Sequence, residues 1–322
     1  MKDKHFFASA NTSIGFSNFF NYINYEENSF TYIIKGSSGS GKSTLMRKIA
    51  NYFAEKGIDI EYFYCSSDPT SLDAIRLINY NVSIVDGTAP HIMDTKMPEV
   101  FDKIINLGEF ISSEIFTYKE KIVDILNKKS SNYSLIYNYL EIIGKIDNIN
   151  RTRHLNYSNN LLENKIKSSF SNTFKNGTLR KLFIDAVDSF GLNDIASKND
   201  FNVNVLPINK YQFGYLINNV TNEILQKGAN LTIFYGVFSP TFAKAILIND
   251  KLYFTYDKNS TLNNFEIENN DLINKLLLKI GNLINDTRKL HFDLEKYYSN
   301  YINFDKLNSV FSSTILDIEK RI

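Results

Sequence analysis

The residues Gly36-Ser37-Ser38-Gly39-Ser40-Gly41-Lys42-Ser43 run as glycine, four residues, then Gly-Lys-Ser, small flexible positions closed by a cation and a hydroxyl. Small side chains let successive backbone N–H groups curl around an anion, and the positive end of a helix starting near Lys42 adds a favourable field. In such a loop Lys42 reaches the β- and γ-phosphates of a nucleoside triphosphate, the Ser43 hydroxyl coordinates Mg2+, and Thr44 lies close behind. Gly36 to Thr44 is therefore expected to hold ATP or a related nucleotide with Mg2+. The alternative is a glycine-rich turn carrying a surface lysine.

A metal at that place needs a carboxylate from a neighbouring strand end. Asp86 closes the apolar run Val82-Ser83-Ile84-Val85 and is the candidate for the Mg2+ shell, set against a simple turn cap at Gly87. Asp68, in Cys65-Ser66-Ser67-Asp68-Pro69, follows an earlier strand and could orient water, accept a proton from a substrate hydroxyl or contact Mg2+. Its competing reading is an Asp-Pro turn. His91 and Asp94 lie on the loop after Asp86, although a lone histidine is more often structural than catalytic. Cys65 reads as a small buried residue, since no activating histidine pattern accompanies it. Among seven arginines, Arg76, Arg151, Arg153 and Arg180 are placed where they could reach a γ-phosphate, and nothing in their order along the chain chooses among them.

These residues require a strand before the loop and a helix after it. Phe30 to Lys35 is a β-favouring run, and Leu45, Ile49 and Phe53 then recur at helical spacing until Gly57, a C′ residue. Ile58 to Cys65 and Val82 to Asp86 read as further strands, and helices between buried strands imply a parallel sheet. Phe16, Phe19, Phe20 and Ile23 predict a short helix within Ser13 to Ile23, and Pro98 is expected to open another through Ile105. Ile115 to Ile146 predicts a helical hairpin broken near Lys128 to Asn132, while Asn148 to Gly177 is polar and supports no assignment. The aromatic helices near Ile136 to Ile143 and Phe292 to Phe311 read as core faces rather than base-stacking platforms.

The second half of the chain repeats the first. With Gly57 set on Gly228, an offset of 171, Leu45 meets Leu216, Asn51 meets Asn222, Lys56 meets Lys227, Phe63-Tyr64 meets Phe234-Tyr235 and Asp86 meets Asp257. Upstream, at an offset of 176, Lys4 through Gly15 runs parallel to Arg180 through Gly191. The expected fold is α/β, a P-loop NTPase-type, mostly parallel sheet flanked by helices and duplicated. Residues 1–177 form the nucleotide-binding unit with a helical extension, and residues 178–322 a degenerate copy. In that copy the counterparts of Gly36, Gly39, Gly41, Lys42 and Ser43 are Pro207, Lys210, Gln212, Phe213 and Gly214, none of which keeps its chemistry, so one nucleotide per chain is expected.

At 322 residues and 37.1 kDa the chain has room for two such units, and 43% hydrophobic with 22% charged residues is the composition of a globular protein. A formal net charge of +1, with Lys128-Lys129 too short as a basic run, argues against nucleic acid and membrane as partners. One cysteine excludes an intramolecular disulfide and points to a reducing, cytoplasmic setting. Neither a signal peptide nor a membrane-spanning run is recognised.

Together, Gly36 to Thr44, Tyr64-Cys65-Ser66-Ser67-Asp68-Pro69, Ser71-Leu72-Asp73, Asp86-Gly87-Thr88-Ala89-Pro90-His91 and the closing stretch Leu290-His291 through Phe304 resemble an uncharacterised family of bacterial ATPase-like proteins with two P-loop-type units in tandem. The resemblance implies a nucleotide-binding protein of unestablished reaction. Slow Mg2+-dependent ATP hydrolysis driving a conformational switch is the leading expectation. Phosphoryl transfer to a small molecule or nucleotide, with Asp68 as base, and a non-hydrolysing sensor that regulates a protein partner are the alternatives.

Overall fold

The computed structural model describes residues 3–26, 28–152, 163–164, 177–206, 208–248, 251–255 and 270–322. The chain divides into two compact units, each discontinuous in sequence. One comprises Met1–His5, Glu26–Ile136 and Asn282–Ile322, the other Phe6–Tyr25 and Tyr137–Gly281. The expected boundary at Gly177 was a single cut. No helix among the described residues is long and apolar enough to cross a membrane.

The first unit carries a six-stranded sheet built from β1 (Lys4–Phe6), β4 (Phe30–Lys35), β5 (Ile60–Tyr64), β6 (Leu72–Leu77), β7 (Val82–Asp86) and β8 (Asp102–Asn106), in the order β1-β5-β6-β7-β4-β8. β4 is internal, parallel to both β7 and β8. Helix α1 (Lys42–Glu55) presents Leu45, Met46, Ile49 and Phe53 to Tyr32, Ile34, Ile75 and Ile84 of the sheet, the i, i+4 face meeting the alternating strand face. The sheet is mixed, because β6 lies antiparallel to both β5 and β7. The expected mostly parallel order overlooked β6. Its residues, Leu72 to Leu77, are buried on both faces and include Asp73 and Arg76, which masked the strand as a polar connection.

Three local expectations are corrected. Ser13 to Ile23 is not a helix: Gly15, at φ +99°, turns the chain between β2 (Ser9–Thr12) and β3 (Gly15–Asn18), leaving one 3-10 turn at Phe20–Tyr22. Pro98 opens no helix, since its segment runs into β8, where Asp102 accepts from the backbone N–H of Lys96 at 2.6 Å and caps the turn. The hairpin over Ile115 to Ile146 is one helix, α2 (Lys119–Thr152); the polar run at Lys128 is carried by an i,i+4 pair with Asp124 at 2.6 Å rather than by a break.

The second unit holds the β2–β3 hairpin, a hairpin of β10 (Asp185–Asp188) with β11 (Gly191–Asp194), and a five-stranded sheet. Its strands are β9 (Leu179–Phe183), β12 (Asn202–Leu206), β13 (Leu231–Gly236), β14 (Ser239–Ile248) and β15 (Lys251–Thr255), in the order β9-β13-β14-β15-β12. Here too the sheet is mixed, with β9–β13 and β12–β15 parallel and the intervening pairs antiparallel. Helix α3 (Lys210–Gln226) packs Phe213, Leu216, Ile217, Val220 and Ile224 on Leu231, Ile233, Ala243 and Ile246. Two C-terminal helices complete the chain, α4 (Asn270–Ser299) and α5 (Phe304–Glu319), and in the first unit Leu307, Ile315 and Ile318 of α5 join the core around α1. Pro207, Arg153 and Asp257, all singled out from sequence, lie outside the described residues.

Candidate functional site

The run Gly36 to Gly41 leaves the carboxyl end of β4 and enters α1, so the sheet delivers the loop to its own carboxyl edge. Gly39 and Gly41 carry φ of +74° and +84°, left-handed values at which a side chain is strained, and Gly41 is the N-cap of α1 with no side-chain cap bond. Among the described residues the backbone N–H groups of Gly39, Gly41, Lys42 and Ser43 meet no acceptor, which is the open helix start that suits an anion.

Lys42 lies mostly buried, its Nζ donating to Gly36 O and Ser37 O at 2.9 Å each and standing 3.6 Å from Asp86 Oδ2. The parallel ladder pairs Ile34 with Asp86, which is why that carboxylate reaches the loop although it lies 44 residues beyond Lys42. Asp86 Oδ1 accepts from Thr88 N at 2.8 Å, fixing the carboxylate. Thr88 Oγ1 accepts from Gly36 N at 3.2 Å and donates to Gly36 O at 3.0 Å, tying the strand end to the first loop residue. Ser43 Oγ accepts from Leu72 N at 3.0 Å, leaving a second lone pair for a cation. Of the other loop residues, Ser40 Oγ donates to Ser37 O at 2.8 Å, Ser38 Oγ is 3.3 Å from His291 Nδ1, Thr44 is exposed, and Ser37 Oγ is buried without a hydrogen-bond partner among the described residues. Open amides, an internal cation, a hydroxyl with a spare lone pair and a fixed carboxylate fit a Mg2+–triphosphate.

Residues 16–140 match the family described as Nephrocystin 3, N-terminal. That is less than half of the chain, and it is a different family from the bacterial ATPase-like one that the motifs resemble; the motifs quoted for that resemblance overlap the match between residues 16 and 91, which include the loop, Asp68 and Asp86. No curated protein and no solved structure matches the chain.

The remaining sequence candidates separate. Asp68 is not a bare carboxylate: its Oδ1 accepts from Thr70 Oγ1 at 2.7 Å and lies 3.2 Å from Arg288 Nη2. His91 Nε2 stands 3.6 Å from Oδ1 of the buried Asp73, whereas Asp94 is 88% exposed and 3.9 Å from Lys35 Nζ. Asp73, next beyond the ladder pair Ala74–Val85, brings a second carboxylate to the strand end beside Asp86. The Cys65 thiol is pushed well above its usual range, by burial first and then by the charge of Asp73, which makes it inert as a nucleophile. Burial likewise pushes the Tyr133 phenol up to about 12.

Of the arginines, Arg76 is buried between Glu26 and Glu61 at 3.1 and 3.3 Å. Arg180 donates to Tyr22 O at 2.9 Å and Arg151 lies over the Phe242 ring, both within the second unit. Sequence reasoning passed over Arg288, Lys129, His291, Asp73 and Thr88. Thr88, Asp73 and His291 were visible as part of the resemblance, without a role, but Arg288 sits some 250 residues beyond the loop on a helix whose spacing carries no chemical motif.

Proposed function

We propose that the first unit binds the Mg2+ complex of a nucleoside triphosphate at Gly36–Thr44 and hydrolyses it slowly as a conformational switch. The observation that carries this reading is the loop itself: it joins the end of β4 to an uncapped helix start with Lys42 Nζ 3.6 Å from Asp86 Oδ2. Lys42 would leave the carbonyls of Gly36 and Ser37 for the β- and γ-phosphate oxygens, the open amides would cradle the β-phosphate, and Ser43 and Asp86 would hold the metal. Bound Mg2+ supplies charge neutralisation on the transferring phosphoryl group.

The second unit is read as a degenerate copy of the first. Its support is the equal strand order, β1-β5-β6-β7-β4 beside β9-β13-β14-β15-β12, with a helix after the last-named strand in each. Its α3 does not offer the same open start, because Asn209 Oδ1 accepts from Tyr211 N and Gln212 N and caps the helix, whereas Gly41 caps α1 with no side-chain bond.

Phosphoryl transfer to an acceptor finds little support in Asp68, which Arg288 and Thr70 already hold; Asp73 with His91 is the better base candidate for either reaction. Titration of the full chain with a non-hydrolysable ATP analogue should give a stoichiometry near one, falling to near zero in Lys42→Ala. Phosphate release without an acceptor marks hydrolysis, acceptor-dependent ADP formation a kinase, and binding with neither a sensor. A value near two, or unchanged binding in Lys42→Ala, would remove the assignment.

A further inference from the structure

Helices α2 and α4 bring Lys129 and His291 to the tip of the phosphate loop, with Arg288 one turn earlier on α4, all within the first unit. Lys129 Nζ on α2 is 3.2 Å from His291 Nδ1 on α4, and the same Nδ1 is 3.3 Å from Ser38 Oγ of the loop. His291 Nε2 lies 3.3 Å from Glu295 Oε1, so the ring donates there and accepts at Nδ1. One turn earlier Arg288 holds Asp68 at 3.2 Å, while its Nε is buried with no hydrogen-bond partner among the described residues. The α4 backbone lies directly on the loop, since a Cβ at Gly39 would come within 2.9 Å of Glu295 Cα.

Burial first, and the nearby charge of Lys42, hold the Lys129 ammonium below its usual range against the opposing pull of Glu295. Desolvating one cation beside another is unfavourable unless an anion is to be met there. Asp68 meets only part of the Arg288 fork, and the donor left over, like the Ser37 Oγ of the loop, is buried with no hydrogen-bond partner among the described residues.

We propose that α2 and α4 form a cap in cis over the loop, in which Arg288 and Lys129 recognise the terminal phosphate of the bound nucleotide and Asp68 holds Arg288 until that phosphate arrives. This rests on the nucleotide-binding reading of Gly36–Thr44. The step is an exchange of ion pairs with no covalent change. The guanidinium leaves a single carboxylate oxygen for phosphate oxygens that its planar fork matches in pairs, using the Nε–H that now has no acceptor. A diphosphate does not complete the exchange, so the cap sets the preference for triphosphate over diphosphate.

The test is calorimetry on the full chain with Mg2+, comparing ADP with a non-hydrolysable ATP analogue. Arg288→Gln should lower the triphosphate preference roughly tenfold or more while leaving ADP affinity within about twofold, and Lys129→Gln should act in the same direction. Arg288→Lys, which keeps the charge and loses the fork, should recover part of the preference and carries the test if the glutamine variant does not fold. Asp68→Asn, by freeing Arg288, should tighten triphosphate binding and leave ADP unchanged. A preference unaltered in the Arg288 variants overturns the proposal, as does an Asp68→Asn variant that weakens both nucleotides, the result expected of a metal ligand. If Lys42→Ala abolishes binding while the Arg288 variants keep the wild-type preference, the cap fails and the nucleotide reading stands; a wild-type chain that binds neither nucleotide overturns both.

Discussion

The two sheets end their loop-bearing strands differently, and the difference begins with which strand is internal. β4 is buried and lies between β7 and β8, so its carboxyl end is flanked by the end of β7, which supplies Asp86 and leads on to Thr88. β12 pairs with β15 alone among the described residues and is largely exposed, with Val203 at 45% and Val205 at 44%. The helix that follows differs in the same sense: α1 starts on Gly41 with open amides, whereas α3 starts on Asn209 with a complete capping box to Gln212. A helix start can be closed by its own side chain or left for an external anion, and the two designs exclude each other. What both units keep is the apolar face of the helix and the order of the sheet, which depend on burial and not on a ligand.

The sharpest break in this comparison comes from one aligned pair, Lys42 and Phe213. Phe213 is fully buried in the core under α3, so Phe213→Ala should cost about 3–5 kcal/mol of stability by emptying a packed site. Lys42→Ala removes a side chain whose bonds are to loop carbonyls and should leave stability nearly unchanged while weakening triphosphate binding roughly tenfold or more. Chemical denaturation beside calorimetry separates the two effects. Equal stability losses, with binding intact, would mean that Lys42 is a structural residue and the loop a turn.

Next in size is a pH effect confined to the second hairpin. Asp194 ends β11 and accepts from Ala196 N at 2.6 Å; its burial pushes the carboxyl up to about 6 against the opposing pull of Lys244 and of that N–H, and Asp185 adds to the rise. The folded-state value lies above the unfolded one, so the folded chain binds more protons in between. This group's contribution is therefore most favourable below about pH 4 and is lost as pH rises to about 6, by roughly 3 kcal/mol. The counterpart at the offset of 176 is Asn18, which does not titrate. Asp194→Asn keeps an acceptor for Ala196 N, so it should flatten the stability–pH curve between those values and stabilise the chain at pH 7. A curve that keeps its slope in Asp194→Asn would assign the titration elsewhere.

A smaller effect tests the metal side of the first unit. Asp86→Asn keeps an acceptor for Thr88 N while removing the charge beside Lys42, so nucleotide binding should persist and turnover should fall roughly 10- to 100-fold with a raised Mg2+ requirement. Phosphate release measured across a Mg2+ titration gives both quantities. Unchanged turnover would move the metal to Asp73 or Asp68.

The loop, α1, β4, β5 and β7 were legible in sequence because glycine spacing, helical periodicity and short apolar runs are local signals. β6 was not, since a strand buried on both faces yet carrying Asp73 and Arg76 shows neither alternation nor an apolar run. The hairpin at Ser13 was read as a helix because Phe16, Phe19, Phe20 and Ile23 happen to fall at three- and four-residue steps, while the decisive residue was Gly15 with its positive φ. Arg288, and the position of His291 at the loop, were beyond reach for another reason. Their place beside Asp68 and Ser38 is fixed by how α4 packs in the first unit, a tertiary fact that no short window of sequence carries.

The smallest effect examines what the two units hold in common, the stop signal of the helix. After α1, Gly57 N donates to Ala54 O at 2.9 Å and Ile58 N to Phe53 O at 3.1 Å; after α3, Gly228 N donates to Leu225 O at 2.9 Å and Ala229 N to Ile224 O at 3.3 Å. Every one of these residues corresponds at the offset of 171, and the glycines have φ of +80° and +85°. This is the paired bonding of a Schellman end, with a left-handed C′ residue that a Cβ disfavours. At Gly57 a Cβ would meet nothing within 4 Å, so the cost of Gly57→Ala is backbone strain alone, about 1–2 kcal/mol, offset in part by an unfolded state made less flexible by about 0.4–1 kcal/mol. A net loss of about 1 kcal/mol is expected in Gly57→Ala and, from the same backbone geometry, in Gly228→Ala. Nucleotide affinity should be unchanged in both, because neither residue belongs to the loop. Closely matched losses in urea titrations would mean that burial and capping have been kept in both units while phosphate chemistry was kept in one. A Gly228→Ala variant as stable as wild type would mean that the second helix end is held by contacts of its own, and the correspondence at the offset of 171 would then stop short of backbone energetics.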